Sequence, residues 1–139
     1  LAQKLGIAIR GNLASADPAA VGLVGELAHA TGGAALAAHI AAVLGRAPLH
    51  IENDRPIKRL AWCTGAGQGF IEAAARQGVD AYISGEVSEP TVHTAREYGI
   101  HYFAAGHHAT ERYGVQAVGG HVAEALQLEH CFIDIDNPA

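Results

Sequence analysis

A histidine and a glutamate stand four residues apart in the segment GHHATE, as His107 and Glu111. Where a helix begins at this segment, one turn brings the imidazole and the carboxylate to the same side. These two ligand types together suit zinc, iron or manganese better than calcium. The pair is also compatible with an ordinary ion pair at an exposed helix start. The neighbouring His108 points elsewhere on such a helix, so we expect it to line a pocket rather than to bind the same ion.

A second pair of candidate residues is Glu86, which follows the apolar segment DAYISG, and His93, which lies one or two helical turns further on. A carboxylate at the end of a strand can orient a histidine ligand or serve as a general base. We therefore predict Glu86 and His93 as catalytic residues. The alternative is an exposed acid at a helix entrance and a surface histidine on that helix.

The segment TGAGQGF carries Gly65, Gly67 and Gly69 between a predicted strand and a predicted helix. It resembles a dinucleotide-binding turn, and Glu86 lies at about the distance at which an acid binds the ribose in such sites. The usual pattern places its third glycine one position later, where this chain has Phe70. The alternative is a tight turn whose glycines let the backbone approach a neighbouring group. The sequence leaves both interpretations open.

The elements that must position these residues alternate regularly from residue 57 onward. Strands are predicted over 57–63, 81–84, 100–105 and 131–135, and helices over 70–77, 88–98 and 109–128. Upstream, the pattern predicts a strand over 21–27 and a helix over 31–44 that ends at Gly45. This alternation predicts an α/β fold, a layered sheet of alternating strands and helices. If the strands run parallel, the turns after residues 63, 84 and 105 meet at one edge, where ligands of such sheets bind.

Other predictions concern residues without a clear chemical partner. The long helix carries an apolar face made by Val115, Val118, Val122, Ala125 and Leu126. Both cysteines, Cys63 and Cys131, lie in apolar segments and are predicted to be buried. A turn is predicted at Asp17-Pro18. The other histidines are predicted to be isolated or structural, and three acids to be turn or edge residues: His29, His39, His50, His101, His121, His130, Asp80, Asp134 and Asp136.

Composition restricts the class of protein. The chain has 139 residues, of which 50% are apolar and 17% charged, and this fits one compact domain with its own core. No uninterrupted apolar run is long enough for a membrane helix, so a membrane protein is excluded and the cytoplasm is the expected compartment. The net charge of −5 disfavours a module that binds duplex nucleic acid non-specifically. Nine histidines favour metal or proton chemistry.

Several motifs occur in an order that identifies a family. The TGAGQGF turn, the DAYISGE strand, the GHHATERYG segment and the IDIDNP end strongly resemble the C-terminal part of the GTP cyclohydrolase 1 type 2-like dinuclear metal-centre proteins, also called Nif-three-like. The likeness is close over residues 57–139 and weaker over 1–56. It implies a Nif-three-like α/β fold and a cytoplasmic protein that assembles into a hexameric toroid around an internal cavity. It also implies that residues 1–139 are the C-terminal part of a longer protein whose N-terminal half is absent.

The resemblance also implies a site and an activity. Two divalent ions, zinc, iron or manganese, would bind per intact protomer, with His107 and Glu111 as two of the ligands and the others in the absent N-terminal half. Glu86, His93 and His108 match positions that line the pocket. The implied function is a metal-dependent hydrolase of a nucleotide-type substrate. The alternatives are a metal-stabilised, ring-forming assembly without turnover, which could enclose a partner or nucleic acid, and a metal-free nucleotide-binding module that uses the turn from Gly65 to Gly69.

Overall fold

The computed structural model describes residues 1–13, 21–135 and 137–138. The described strands are β1 (Ala8–Asn12), β2 (Leu23–Thr31), β3 (Leu49–Ile51), β4 (Ile57–Cys63), β5 (Ala81–Ser84) and β6 (His101–Ala104). The described helices are α1 (Ala2–Leu5), α2 (Gly33–Leu44), α3 (Ile71–Arg76), α4 (Glu89–Tyr98) and α5 (His107–Leu126), with a 3₁₀ turn at Gln68–Phe70 before α3. The predicted turn at Asp17-Pro18 and the predicted edge residue Asp136 lie outside the described residues.

The strands form one mixed sheet in the order β1-β2-β4-β5-β6-β3. The three central strands, β4, β5 and β6, are parallel, whereas the outer pairs are antiparallel. The pairing register places Cys63 beside Ser84, and Ser84 beside Ala104. The α/β fold is therefore confirmed, and the parallel strands end level with one another, as the convergence of the three turns requires.

The central strands run parallel because α3 connects β4 to β5 and α4 connects β5 to β6, and helices cover both faces of the sheet. Every residue of β5 and β6 is buried, which explains why these strands are continuous apolar runs rather than alternating ones. On one face, α2 packs with Leu36, Ile40 and Leu44. On the other face, α3 and α4 contribute Ile71, Ala74 and Ala95.

The predicted strand over 131–135 does not form, and the chain there has no regular secondary structure. The sheet edge beside β6 is instead occupied by β3, which pairs with it antiparallel. Ile133 and Ile135 are accordingly 77% and 72% exposed. Cys131 is exposed, contrary to the prediction, whereas Cys63 is buried as predicted.

Helix α5 begins at His107, two residues earlier than predicted, and ends at Leu126. Its buried residues are Ala109 and Thr110 in the first turn. The predicted apolar face is present but exposed to solvent in this chain, with Val118 at 65% and Leu126 at 64%. No helix of the described part of the chain has the length and hydropathy needed to cross a membrane.

Candidate metal centre

The three turns that follow β4, β5 and β6 are joined by backbone hydrogen bonds. The N–H of Gly85 donates to the carbonyl of Gly65 at 2.9 Å, and the N–H of Gly106 donates to the carbonyl of Gly85 at 2.9 Å. The N–H of Gly65 donates to the hydroxyl of Thr110 in α5 at 3.0 Å. The convergence predicted from the sequence is therefore present, and it is fixed by main-chain groups.

Glycines are required where these turns meet. A Cβ atom at Gly85 would lie 2.7 Å from the carbonyl oxygen of Gly65 and 2.8 Å from the Cα of His107. A Cβ atom at Gly65, whose φ is +62°, would overlap the Glu111 carboxylate and lie 3.0 Å from His107 Nε2. Side chains at these positions would push the functional groups away, so the glycines allow the close approach.

The imidazole of His107 lies between two carboxylates. Its Nδ1 donates to Glu86 Oε1 at 2.6 Å, and its Nε2 lies 3.1 Å from Glu111 Oε2. The spacing of GHHATE thus places His107 and Glu111 together at the start of α5, as expected. The hydrogen bond to Glu86 raises the pKa of His107, and the negative charge of Glu111 adds to that rise, against partial desolvation.

This arrangement needs a cation beside Nε2. When Nδ1 carries the proton given to Glu86, a neutral His107 turns the Nε2 lone pair towards another acceptor, the Glu111 carboxylate. Only a proton on Nε2 or a metal ion between the two groups makes that contact favourable. The 3.1 Å separation fits neighbouring ligands of an ion with bonds of about 2.0 to 2.2 Å.

The donor set therefore fits a transition metal but is incomplete. A metal-binding histidine commonly donates its other N–H to a carboxylate, which fixes the tautomer, and Glu86 does this for His107. Zinc sites have three or four protein ligands in total. No group of three or more His, Cys, Asp or Glu side chains that could hold an ion is found within residues 1–13, 21–135 and 137–138.

A cavity of about 730 Å³ opens on this pair. Its lining includes two cationic side chains, Arg46 and Arg112, and an apolar wall to which Val115 and Phe132 contribute. Within the described residues, the cavity is lined by Arg46, Ala47, Leu49, Gly85, Glu86, Val87, Ala104, His107, His108, Glu111, Arg112, Val115, Phe132 and Asn137. A lining that combines cationic and apolar groups suits a ligand with an anionic part and an apolar part.

His108 lines this cavity, as the sequence predicted. Its Nε2 lies 3.2 Å from Asp134 Oδ1, and the other oxygen of Asp134 accepts a hydrogen bond from Arg112 at 3.0 Å. Asp134 was predicted as a turn or edge residue, but it holds the C-terminal segment against α5. The IDIDNP motif was the one sequence signal for this residue, and its contacts depend on long-range folding.

His93 is not brought to this site. The residues of α4 that face the core are Thr91 and Ala95, four positions apart, so His93 between them points to the other side of the helix and is exposed. It is not among the residues that line the cavity. The prediction that pairs His93 with Glu86 therefore has no geometric support, because it ignored the rotation of the helix.

Three N–H groups of the glycine turn already donate hydrogen bonds to acceptors of the protein. Gly67 donates to the carbonyl of Gly65 at 2.9 Å and Phe70 donates to the carbonyl of Gly67 at 3.1 Å, while Gly65 donates to Thr110. A phosphate cradle needs such groups to face a ligand. The structure thus favours the tight turn over the phosphate cradle.

The same turn carries a residue that sequence reasoning missed. Gln68 Nε2 lies 3.4 Å from Glu86 Oε2. Gln68 stands among glycines, and the acid four residues further on, Glu72, pairs with Arg76 instead, so no local pattern indicated a contact with Glu86. Its contact with Glu86 arises only because β4 and β5 are neighbours.

Two histidines predicted to lack partners form a separate cluster at the opposite end of β6. His50 Nε2 lies 3.0 Å from Nδ1 of the buried His101, whose Nε2 donates to the carbonyl of Arg55 at 2.8 Å. Burial, chiefly, and the neighbouring His101 lower the pKa of His50. His50 is thus not isolated, and the cluster fixes the connection between β3 and β4.

Comparisons with known proteins agree with this fold. A family model described as Duf34/NIF3 (NGG1p interacting factor 3) matches residues 1–138. Proteins named GTP cyclohydrolase 1 type 2 homolog are similar along the whole chain. The one from Pseudomonas aeruginosa strain PAO1 is 52% identical over 139 residues, and the one from Escherichia coli strain K12 is 50% identical over 141 residues. The chain spans about 55% of the length of each.

Solved structures give the same result. A structure described as protein ybgI, of unknown function, superposes with a TM-score of 0.91 at 49% identity and covers 99% of this chain and 55% of its own. The protein TTHA1606 from Thermus thermophilus superposes with a TM-score of 0.78 at 20% identity over 99% of this chain and 54% of its own, which shows a shared fold. From the family model and these relatives, the chain belongs to the Duf34/NIF3 family.

Proposed function

We propose that this chain supplies part of the metal centre of a hydrolase that acts on a nucleotide-type substrate. The observation that carries the proposal is the geometry of His107 Nε2 and Glu111 Oε2, which lie 3.1 Å apart, with Glu86 accepting a hydrogen bond from the other imidazole nitrogen at 2.6 Å. The name of these relatives, GTP cyclohydrolase 1 type 2 homolog, supports a nucleotide as the substrate class.

The proposed metal complement is two divalent ions, zinc, iron or manganese, per complete protomer in a cytoplasmic protein. His107 and Glu111 are two ligands of this centre, and further ligands come from outside residues 1–139. A bound ion of this kind supplies Lewis acidity, which polarises a substrate oxygen and lowers the pKa of a coordinated water.

The chain's own side chains prepare this chemistry. Glu86 keeps the proton of His107 on Nδ1, so that Nε2 stays available as a ligand, and it can hold a proton released during hydrolysis. Arg46 and Arg112 place positive charge on the cavity wall, where an anionic group of the substrate would bind. Val115 and Phe132 contribute apolar surface to the same cavity, where an apolar part of the substrate would pack.

The test is elemental analysis of the full-length gene product and of two variants, His107→Ala and Glu111→Gln. We expect close to two ions per chain in the wild type and a loss of metal in both variants. His121→Ala is the matched control, because His121 is an exposed histidine further along α5 that does not line the cavity. Metal-loaded wild type should then hydrolyse at least one member of a panel of purine nucleotides, and His107→Ala should not. A wild type without stoichiometric metal would refute the proposal.

A second candidate function is a metal-stabilised, hexameric ring without turnover. The exposed apolar face of α5, with Val115 at 61% and Val118 at 65%, favours this alternative because large exposed apolar surfaces commonly mark interaction sites. Light scattering before and after chelation separates the two functions. Metal-dependent assembly with no hydrolysis of any nucleotide in the panel would favour the ring.

A further inference from the structure

The feature that extends this site is the contact between Gln68 and Glu86. Glu86 Oε1 accepts the hydrogen bond of His107, and Glu86 Oε2 lies 3.4 Å from Gln68 Nε2. The two oxygens of a single carboxylate thus face a candidate metal ligand on one side and the glycine turn on the other. Whatever fixes Oε2 also fixes the direction in which Oε1 meets the imidazole.

The turn that carries Gln68 is held by hydrogen bonds from two side chains of β5. The hydroxyl of Tyr82 donates to the carbonyl of Gly67 at 2.6 Å, and the hydroxyl of Ser84 donates to the carbonyl of Gly65 at 3.2 Å. Burial raises the pKa of Tyr82 far above its usual range, so its hydroxyl remains a donor at every physiological pH. A Cβ atom at Gly67 would lie 2.6 Å from that of Cys63, so the turn packs directly on β4. Gln68 is therefore presented by a rigid segment.

The orientation of the Gln68 amide follows from its partner. A carboxylate only accepts hydrogen bonds, so the amide nitrogen must face Glu86 and the amide oxygen must point away. That oxygen, Oε1, is buried and has no hydrogen-bond partner within the part of the chain that the structure describes. Rotating the amide would set two acceptors against each other, so the contact with Glu86 determines the orientation despite the buried oxygen.

We propose that Gln68 is a positioning residue of the metal centre, which orients Glu86 and through it the tautomer and direction of His107. The inference rests on the proposed function for its purpose, but the relay of Gln68, Glu86 and His107 is a property of the chain itself. It also assigns a task to the TGAGQGF turn, which delivers an amide donor to the site instead of binding phosphate.

The test compares the full-length wild type with Gln68→Met, which keeps the side-chain length without a donor, and Gln68→Asn, which keeps the amide but is too short to reach Glu86. Gln3→Met is the control, because Gln3 is exposed on α1 and does not line the cavity. Zinc affinity is measured by competition with a chromogenic chelator. The position of the His107 ring proton is read in metal-free protein at pH 9 from long-range proton–nitrogen NMR spectra, assigned by its loss in His107→Ala.

We expect Gln68→Met and Gln68→Asn to bind zinc about tenfold more weakly, at the lower end of the effect of removing an outer partner of a metal ligand. The fraction of His107 with its proton on Nδ1 should fall in both, whereas Gln3→Met should match the wild type in each measurement. Metal-free melting temperatures identify a variant that has lost its fold, and the other variant then decides.

Two results would overturn the inference: unchanged zinc affinity in both variants, or weaker affinity with an unchanged His107 tautomer, which would mean that the effect takes another route. The NMR measurement needs no metal. A wild type that binds none would therefore refute the proposed function while the relay is still tested, and equal metal binding by wild type and variants would refute the relay alone.

Discussion

The first turn of α5 and the rest of the same helix lie in opposite surroundings. Thr110 is 2% exposed, and its hydroxyl donates to the carbonyl of Gly106 while it accepts from the N–H of Gly65. Further along, Val115 and Val118 are more than half exposed. One turn of buried polar contacts thus positions the helix, whereas its apolar face contributes little to the stability of this chain. The apolar periodicity of the sequence predicted the helix, but it did not indicate that buried contacts hold its first turn in place.

The largest effect is expected at Gly65, whose N–H donates to Thr110 in the buried first turn of α5. Gly65→Ala places a methyl group on the Glu111 carboxylate at a position with φ of +62°, which L residues rarely adopt. We expect zinc affinity to fall by more than about 100-fold, beyond the effect of losing an outer partner. Gly120→Ala is the control, because nothing lies within 4 Å of a Cβ there. It should leave metal binding intact and stabilise the helix by roughly 0.5 to 1 kcal/mol. Equal zinc affinities of Gly65→Ala and Gly120→Ala would contradict the distinction between the first turn of α5 and the rest of the helix.

The second largest effect is expected from exchanging threonine and valine, which have the same shape, at the two ends of α5. Thr110→Val removes the buried hydroxyl and leaves the N–H of Gly65 without its acceptor, so the free energy of unfolding should fall by about 1 to 3 kcal/mol. Val118→Thr changes an exposed residue, and its effect should stay within about 0.5 kcal/mol. Urea denaturation followed by circular dichroism measures both. A destabilisation at position 118 as large as at 110 would show that the far end is packed in solution.

The smallest effect concerns the C-terminal segment. Asp134 contacts His108 and Arg112, both on the first two turns of α5. Since these contacts are half exposed, Asp134→Asn should reduce stability by only about 0.2 to 1 kcal/mol, and added salt should diminish the difference. Glu124→Gln, an exposed acid near the far end, is the control and should show no change. Thermal unfolding at low and high salt measures the effect, and a difference that salt leaves untouched would rule out an ion pair as its cause.

Local signals in the sequence predicted the central fold well. Strands β4, β5 and β6 are dense apolar runs, and α2 and α4 end at Gly45 and Gly99, which adopt the left-handed conformation that glycine tolerates. The segment over 131–135 has the same apolar character but does not become a strand. The position beside β6 is taken by β3, a short segment with little signal of its own. The pairing of segments distant in the chain therefore determined which segment forms the strand beside β6, and the local sequence pattern did not indicate it.

The candidate site likewise contains residues that local sequence patterns predicted and residues that only the fold brings together. His107, Glu111 and Glu86 were predicted, because helical spacing and the level ends of parallel strands relate them directly. His93 does not approach Glu86 in this chain, because the rotation of α4 about its axis depends on which residues pack against the sheet. Gln68 was missed because its partner lies in the turn after the neighbouring strand. Sequence patterns thus identify ligands, whereas the groups that orient those ligands emerge only from the fold.

The hydrogen bonds from Gly106 to Gly85 and from Gly85 to Gly65 join main-chain atoms only. Their geometry does not depend on the identity of the side chains that form the cavity wall. Residues such as Leu49, Val87 and Phe132 can therefore be exchanged without moving His107 or Glu111. Under the proposed function, exchanges at these wall residues would change substrate specificity one residue at a time while His107 and Glu111 keep their positions.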